Sequence, residues 1–381
     1  MAPTSFILDR REVGRWVGVA PGPTLVAVAG VHGNEPAGLE AARRVFARLE
    51  RGDVAVRGEL VVFAGNVGSL RRGIRYETKD LNRQWNEGRV AALRMPGYTA
   101  ADAEDREQVE LLGAIEAAIE RARGPVTLAD LHTSSASGVP FVLFGDTLAQ
   151  RRFVGAFPIP VIIGLEEQVD GVLTEYWTRR GCVTFTAEGG QHDDPGSVDS
   201  LEAVLWLALH EAGLIDGAAL PEVRDGHARL DARRGDLPRV LEVLSRRAIT
   251  AEDTFQMEPG FRNIERARAG QLLARDRRGE IVAPHDGVVI LPLYQGLGSD
   301  GFFWGREVSE TRMRASWVLR RLGADRLLAL LPGVARDPLR ETRFVVDPQT
   351  TRMVPLEVFH LFGYRRVRER GDTLTIERQV D

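Results

Sequence analysis

The sequence predicts an α/β fold in which a mainly parallel or mixed sheet is flanked by helices, with a smaller β-rich region towards the C-terminus. One observation is that apolar runs of strand length alternate with stretches whose apolar residues recur at helical spacing. Another is that the later part of the chain changes to short β-like runs interrupted by glycine and proline. Because 381 residues exceed the usual size of a single core, this change divides the chain into two predicted domains, 1–218 and 219–381.

The alternation of strands and helices can be followed along the first domain. Apolar runs predict six strands, at 24–31, 59–66, 125–133, 138–145, 159–164 and 182–190. Helical periodicity predicts helices at 36–49 and 105–121, and Ser197 is the predicted N-cap of a third helix that ends before Gly213. Ligands of such sheets bind outside the carboxyl ends of the strands, so polar residues that directly follow a strand are the first candidates for a site.

The connection to the second domain and that domain itself are less regular. Residues 214–234 are expected to be a connection, a short helix is predicted around 238–247, and 279–305 have the pattern of a small all-β module. "GLGSDG" at 296–301 fits the pattern of dinucleotide-binding loops, but no helix follows it, so we interpret it as a loop of that module. The remainder from about 306 has no functional interpretation; its predicted elements are a helix near 311–323 and strands near 343–348 and 372–379.

Composition excludes several classes of protein. The net charge of -4 lacks the basic excess expected of a nucleic-acid binder, and no apolar stretch is long enough to span a bilayer. Cys182 is the only cysteine, which excludes an internal disulfide and a thiolate-rich site, so any metal ligands must be histidine and carboxylate. The N-terminal segment reaches charged residues too early for a secretory signal, which favours the cytoplasm. The sequence leaves the oligomeric state open.

Three predicted strand ends carry side chains suited to a metal centre. His32 and Glu35 follow the first strand, with Gly33 between them allowing a tight turn, while His132 and Glu188 each follow a later apolar strand. Two imidazoles and a carboxylate are the ligand set of a catalytic zinc ion with a position open for water, and a further carboxylate suits a proton acceptor for that water. Taken singly, each motif also has an ordinary structural interpretation, since the first one suits the start of a helix equally well.

Two further sets of polar residues accompany these motifs. Asp130 lies two residues before His132 on the same strand and the same face, where it would orient the imidazole or form a structural salt bridge. The loop "GIRYETKDLNRQW" contributes Arg75, Asn82 and Arg83, whose guanidinium and amide groups suit the binding of carboxylates. A solvated, charged loop is the alternative interpretation of that segment.

Four motifs together resemble a known family. "GVHGNE", "RYETKDLNR", "DLHT" and "EGG", in this order and at these separations, resemble the succinylglutamate desuccinylase/aspartoacylase family, which is related to the zinc carboxypeptidases. The resemblance covers roughly residues 24–300, and "APHDGVVILPLYQG" is similar to the C-terminal β module of that family. It implies a zinc-carboxypeptidase-like fold with one zinc ion per chain and a β module that caps the active site.

The resemblance also implies zinc ligands, catalytic residues and substrate-binding residues. The implied zinc ligands are His32, Glu35 and His132, and the implied catalytic residues are Glu188 as general base and Arg75, which helps to polarise the scissile carbonyl. The implied substrate-binding residues are Asn82 and Arg83 for a carboxylate, Tyr294 as an aromatic hydroxyl that closes the pocket, and one of Arg179 and Arg180. The implied activity is hydrolysis of a small N-acyl amino acid; a metallocarboxypeptidase acting on short peptides and a non-catalytic zinc-site binding protein are the alternatives.

Overall fold

The computed structural model describes residues 10–217, 220–347, 354–367 and 374–378. Its strands are β1 (Glu12–Val17), β2 (Ala20–Ala29), β3 (Arg57–Ala64), β4 (Val126–Ser134), β5 (Phe141–Leu143), β6 (Val161–Ile163), β7 (Val183–Gln191), β8 (Val240–Ala248), β9 (Gln256–Met257), β10 (Glu265–Ala267), β11 (Leu272–Asp276), β12 (Gly279–Val282), β13 (Gly287–Ile290), β14 (Asp300–Glu307), β15 (Val334–Arg336), β16 (Arg343–Val346), β17 (Arg365–Val367) and β18 (Leu374–Glu377). Its α-helices are α1 (Ala37–Leu49), α2 (Val67–Arg72), α3 (Glu87–Leu93), α4 (Ala103–Arg121), α5 (Leu148–Val154), α6 (Leu173–Thr178), α7 (Pro195–Glu211), α8 (Pro221–Arg234), α9 (Glu310–Arg321) and α10 (Leu356–Leu361). Short 3₁₀ helices lie at Leu81–Arg83, Leu165–Glu167, Ala251–Asp253 and Ala324–Leu330.

In the described residues, eleven strands form one mixed sheet. Their order is β1-β3-β2-β4-β7-β5-β6-β8-β14-β13-β10. The strands β3, β2, β4 and β7 are parallel neighbours, whereas β1 and β5 pair antiparallel with their neighbours β3 and β7. The predicted α/β class with a mixed sheet is therefore confirmed, and the small antiparallel sheets β12-β11-β9 and β15-β16-β18-β17 account for the β-rich C-terminal part.

Helices cover both faces of the parallel part of the sheet. In β2, Leu25 and Ala27 belong to a buried cluster with residues of α1 and α7, while Val26 and Val28 belong to a second cluster with residues of α4 and α6. This division follows from the alternation of side chains along a strand. Because residues 25–28 of β2 are apolar and buried between both helical layers, the ionisable side chains that follow lie beyond the end of this strand.

The predicted N-cap of α7 is wrong. Asp194 caps this helix instead, since its side chain accepts a hydrogen bond from Gly196 N at 2.8 Å and Pro195 occupies the first turn, where its missing N–H costs nothing. Ser197 is buried within the first turn, and its Oγ donates to Gln191 O at 2.7 Å. An acidic residue directly before a proline is thus the stronger start signal here.

Two predicted elements that follow α7 are also wrong. The segment 214–234, expected to be a connection, contains α8, and the segment around 238–247, expected to be a helix, is the strand β8. Most side chains of α8 are polar or charged and its buried residues are few, so its apolar periodicity is weak. A short apolar run such as that of β8 is compatible with either element, and its pairing with β6 and β14 makes it a strand.

The second half of the chain is built onto the sheet of the first half. The strands β8, β14, β13 and β10 continue the large sheet beyond β6, so the sheet runs across the predicted boundary between 218 and 219. The division into two domains stays a prediction. No helix in the described part of the chain is long and apolar enough to cross a membrane.

The segment that follows residue 306 forms a small unit with its own core, in which Phe344, Phe359 and Tyr364 are buried. Arg365 joins this unit to the large sheet: its guanidinium lies 3.1 Å from an oxygen of Glu242 on β8 and 3.2 Å from an oxygen of Asp146. All three side chains are at most 7% exposed, and Arg365 compensates part of the charge of both carboxylates.

Replacing Arg365 is therefore expected to destabilise the fold. Arg365→Leu leaves Asp146 and Glu242 buried with fewer cations, and we expect the free energy of unfolding to fall by about 3–5 kcal/mol. Urea denaturation followed by circular dichroism measures this change. The exposed neighbour Arg366 offers a control, Arg366→Leu, for which we expect little effect. Equal stability of both variants would show that the Arg365 contacts contribute nothing to the docking of the C-terminal unit.

Candidate metal centre and active site

Three adjacent parallel strands deliver the candidate ligands to one edge of the sheet. His32 and Glu35 follow β2, His132 lies near the end of β4, and Glu188 on β7 is the direct cross-strand partner of His132. The three strands lie side by side in the order β2-β4-β7. The convergence that the sequence predicts at the strand ends is therefore present in the fold.

Gly33 allows the tight turn that brings His32 and Glu35 together. A Cβ atom at this position would lie 2.1 Å from the backbone carbon of Ser69, which is closer than atoms can approach. The backbone N–H of Gly33 donates to Arg75 O at 3.1 Å, and Glu35 N donates to His32 O at the same distance. The absence of a side chain thus lets the loop that carries Arg75 pack directly on the turn.

The side chains of His32, Glu35 and His132 form a compact set of donors. Each histidine places Nδ1 2.9 Å from one oxygen of the Glu35 carboxylate, so this carboxylate lies between the two rings. One ligand atom from each residue can be chosen such that all three lie within 4.8 Å of one another. All three residues are buried, at no more than 5% exposure.

A second carboxylate stands behind each histidine. His32 Nε2 lies 3.0 Å from Asp80 Oδ1, and His132 Nε2 lies 2.8 Å from Asp130 Oδ2. When each Nε2 donates its hydrogen to these carboxylates, each Nδ1 turns a lone pair towards Glu35. Three electron-rich atoms facing one another are stabilised by a cation, and this carboxylate–histidine arrangement is the usual support of a metal ligand. The donor set therefore fits a divalent ion such as zinc.

The ionisable groups of the site show the same electrostatic demand. Burial alone would raise the pKa of Glu35, yet His32 and His132 hold that pKa well below its ordinary range. Burial would lower the pKa of His132, but Asp130 and Glu35 raise it well above its usual value. The buried carboxylates thus require positive charge beside them, which a bound metal ion would supply.

Glu188 is the fourth predicted member of the site and lines the same pocket as the three candidate ligands. Burial raises the pKa of Glu188 to about 8, which the proximity of His132 only partly offsets. Its Oε2 is buried and has no hydrogen-bond partner among the described residues. A buried carboxylate without a partner is costly, so this oxygen is suited to a group that enters the pocket.

The loop after β3 places Arg75 against the same centre. Arg75 Nη1 donates to Glu35 Oε1 at 3.3 Å, and Nη2 donates to Asp80 Oδ2 at 3.1 Å. The loop itself is held by Glu104 at the start of α4, whose carboxylate accepts from the backbone N–H groups of Glu77 and Thr78 at 2.7 and 3.0 Å. The position of Arg75 is therefore determined by the fold rather than by solvent.

Asn82 and Arg83 line the pocket from the adjoining 3₁₀ turn. The Asn82 amide accepts from Leu173 N at 2.9 Å and donates to Asp130 Oδ2 at 3.2 Å, so it links the loop to the carboxylate behind His132. Arg83 donates through Nη2 to Asp300 Oδ2 at 2.6 Å, while its Nε is buried without a partner in the described part of the chain. Part of this guanidinium thus stays available to a ligand.

Comparison with known proteins points to one family. A family model described as the succinylglutamate desuccinylase/aspartoacylase catalytic domain matches residues 21–204. A succinylglutamate desuccinylase of Burkholderia thailandensis is 30% identical over 264 residues, which cover 66% of this chain and 70% of that protein. Another, of Pseudomonas fluorescens, is 38% identical over 266 residues, which cover 67% of this chain and 74% of that protein.

The chain belongs to the succinylglutamate desuccinylase/aspartoacylase family. Among solved structures, a succinylglutamate desuccinylase/aspartoacylase from Rhodobacter sphaeroides is similar with a TM-score of 0.56 and 19% identity, covering 81% of this chain and 99% of that chain. At this level of identity the similarity shows the shared fold of the family. The resemblance of the four sequence motifs to this family is thereby confirmed.

In this structure Tyr294 lies outside the pocket lining. The Tyr294 hydroxyl donates to Glu258 O at 2.7 Å and accepts from Phe261 N at 3.0 Å, and the residue is 40% exposed. The next residue, Gln295, lines the pocket instead, and its Oε1 accepts from Asn34 Nδ2 at 3.0 Å. A shift of one residue along a loop reverses which side chain faces inwards, and the sequence alone does not determine that register.

Neither of the two alternative arginines lines the pocket of this family member. Arg179 pairs with Glu175 at 2.6 Å, one turn earlier on α6. Arg180 pairs with Glu87 at 2.8 Å and stacks on the ring of Tyr176. Sequence reasoning also missed Asp80, which contacts both His32 and Arg75, although it lies inside the quoted motif "RYETKDLNR".

Proposed function

We propose that this chain is a metal-dependent deacylase that hydrolyses the amide bond of small N-acyl amino acids. The observation that carries the proposal is the buried, unpartnered oxygen of Glu188 in the pocket that His32, Glu35 and His132 line. A base beside an open metal position is what hydrolysis by an activated water molecule requires. The names of the relatives describe the removal of a succinyl group, which supports the class of reaction.

In this proposal His32 and His132 would hold the ion through Nδ1, and Glu35 would hold it through its carboxylate. The ion, which we propose to be a single zinc, would supply Lewis-acid chemistry by acidifying water and polarising the substrate carbonyl. Asp80 and Asp130 accept from the two Nε2–H groups and keep both rings in the ligating orientation. Glu188 accepts a proton only in its carboxylate form, which a cation held by the neighbouring ligands would favour.

The residues of the chain then act in sequence on the substrate. Glu188 accepts a proton from the attacking water and later donates it to the departing amine, so the proton count balances over one turnover. Arg75 donates to the oxygen that becomes negatively charged when the carbonyl is attacked. Arg83, through its unpartnered Nε, and the adjoining amide of Asn82 hold the substrate carboxylate and orient the amide bond.

The decisive experiment combines metal analysis with hydrolysis. We expect the purified protein to bind one equivalent of zinc and to release the amine from at least one compound of a panel of N-acetyl and N-succinyl amino acids. This activity should be lost with a chelator and regained with zinc. The same assay with short peptides tests the carboxypeptidase alternative. A protein with stoichiometric zinc that hydrolyses neither class of compound would be a binding protein and would refute the proposal.

Arg83→Ala tests the proposed carboxylate contact. We expect wild-type protein to favour an N-acetyl amino acid over its C-terminal amide, and the variant to lose about tenfold of that preference, mainly through KM. The measurement is kcat/KM for the acid and the amide. Arg72→Ala, at an exposed arginine of the same segment, serves as control. An unchanged preference in Arg83→Ala would mean that this turn has a structural role only.

A further inference from the structure

Asp300 introduces a negative charge into the pocket next to the proposed carboxylate site. It is the first residue of β14 and lines the pocket together with Arg83. Its Oδ2 accepts from Arg83 Nη2 at 2.6 Å, and its Oδ1 accepts from Nε of Arg246 on β8. The second half of the chain thus places a carboxylate where the resemblance implies that a substrate carboxylate binds.

The cations of the pocket are already largely compensated. Besides the two histidines of the proposed metal centre, Arg75 and Arg83 are the basic residues among the described residues that line it. Arg75 is committed to Glu35 and Asp80, and Arg83 is committed to Asp300. Both arginines have a buried Nε without a partner among the described residues, but the proposed mechanism assigns Arg75 to the oxygen of the scissile carbonyl. One guanidinium edge, that of Arg83, therefore remains for one substrate carboxylate.

The rest of the wall carries no charged side chain among the described residues, and part of it is apolar. Its hydrophobic side chains include Leu143, Leu165, Val172, Leu291, Leu293 and Phe303, and its other side chains are mainly uncharged polar ones. A charged group of a substrate that faced these side chains would lose its hydration without gaining a partner. An uncharged side chain or a short uncharged acyl group would instead be stabilised there.

Resting on the proposed deacylase function, we infer that the pocket selects N-acyl amino acids with a single carboxylate, and that Asp300 is the residue that disfavours a second one. Asp300 repels a further substrate carboxylate through its own charge and by occupying one edge of Arg83. Arg246 moderates this effect because it compensates part of the Asp300 charge. Asp300 is thus a specificity-determining residue, supplied by the strand that borders the pocket.

The test uses N-acetylglutamine and N-acetylglutamate, which have nearly the same shape and differ by one charge. With zinc-loaded wild-type protein we expect kcat/KM to be at least about tenfold higher for the glutamine compound. Asp300→Asn should reduce this ratio by about tenfold, whereas Arg246→Gln, which leaves Asp300 less compensated, should increase it. The opposite directions keep the inference testable if one of the two variants fails to fold.

Asp276→Asn is the matched control, because Asp276 also pairs with an arginine, Arg247, but does not line the pocket. We expect this variant to keep the wild-type ratio. Equal or preferred hydrolysis of N-acetylglutamate by wild-type protein, or an unchanged ratio in both Asp300→Asn and Arg246→Gln, would overturn the inference while leaving the deacylase proposal intact. If zinc-loaded wild-type protein hydrolysed no N-acyl amino acid at all, the proposed function would fail and the inference with it.

Discussion

The Glu188→Gln variant is expected to bind zinc as the wild-type protein does, and its kcat is expected to fall by a factor of about 10² to 10⁴. Glutamine keeps the size of the side chain and a hydrogen-bonding oxygen, but it cannot accept the proton of the attacking water. The side chain is not one of the three proposed ligands, so the metal content should not change. Metal analysis and steady-state kinetics on the same preparation measure both quantities.

Glu59→Gln provides a matched control for this prediction. Glu59 is a buried glutamate on β3 that pairs with Arg15 at 2.9 Å, and it lies near the start of its strand, at the edge of the sheet opposite the candidate site. We expect this variant to keep kcat even if its stability falls. A Glu188→Gln protein with near-normal turnover would remove Glu188 from the mechanism, because the reaction would then proceed without this carboxylate as general base.

The sequence predicts the candidate site better than it predicts some of the ordinary elements around it. His32, Glu35, His132 and Glu188 follow apolar strands, and in a parallel arrangement the strand ends meet at one edge of the sheet, so their convergence requires no detailed packing. The sequence predicts neither the strand β8 nor the helix α8, because neither segment carries a distinctive periodicity of apolar residues. The strand β8 is determined by its pairing with β6 and β14, which are distant in the sequence, and the helix α8 by its packing on the preceding helix α7.

The sequence alone cannot predict the contacts between site residues that lie on separate loops. Asp80 reaches His32 across 48 residues only because the loop after β3 folds back on the turn at Gly33. Asp300 reaches Arg83 across 217 residues because β14 joins the large sheet through β8. Both contacts depend on tertiary packing, whereas the pairing of Asp130 with His132 follows from their spacing on a single strand.

Glu35→Gln is expected to weaken zinc binding by more than about 100-fold, because loss of a residue that only supports a ligand already costs 10–100-fold. Its carboxylate contacts Nδ1 of both His32 and His132, so neutralising it removes the negative charge from the centre of the donor set. Competition with a zinc chelator measures the affinity, and activity at limiting zinc should fall in parallel.

The half-buried residue Glu40, in the first turn of α1, offers the control Glu40→Gln, which removes the same charge five residues further along the chain. We expect this variant to bind zinc with wild-type affinity. If Glu35→Gln also bound zinc with wild-type affinity, the carboxylate would not be a ligand, and the pKa of Glu35 held far below its usual range would then reflect a buried ion pair with the two histidines alone. Circular dichroism of the two variants separates loss of the ion from loss of the fold, since the strands that carry the site are held by the cores on both faces of the sheet.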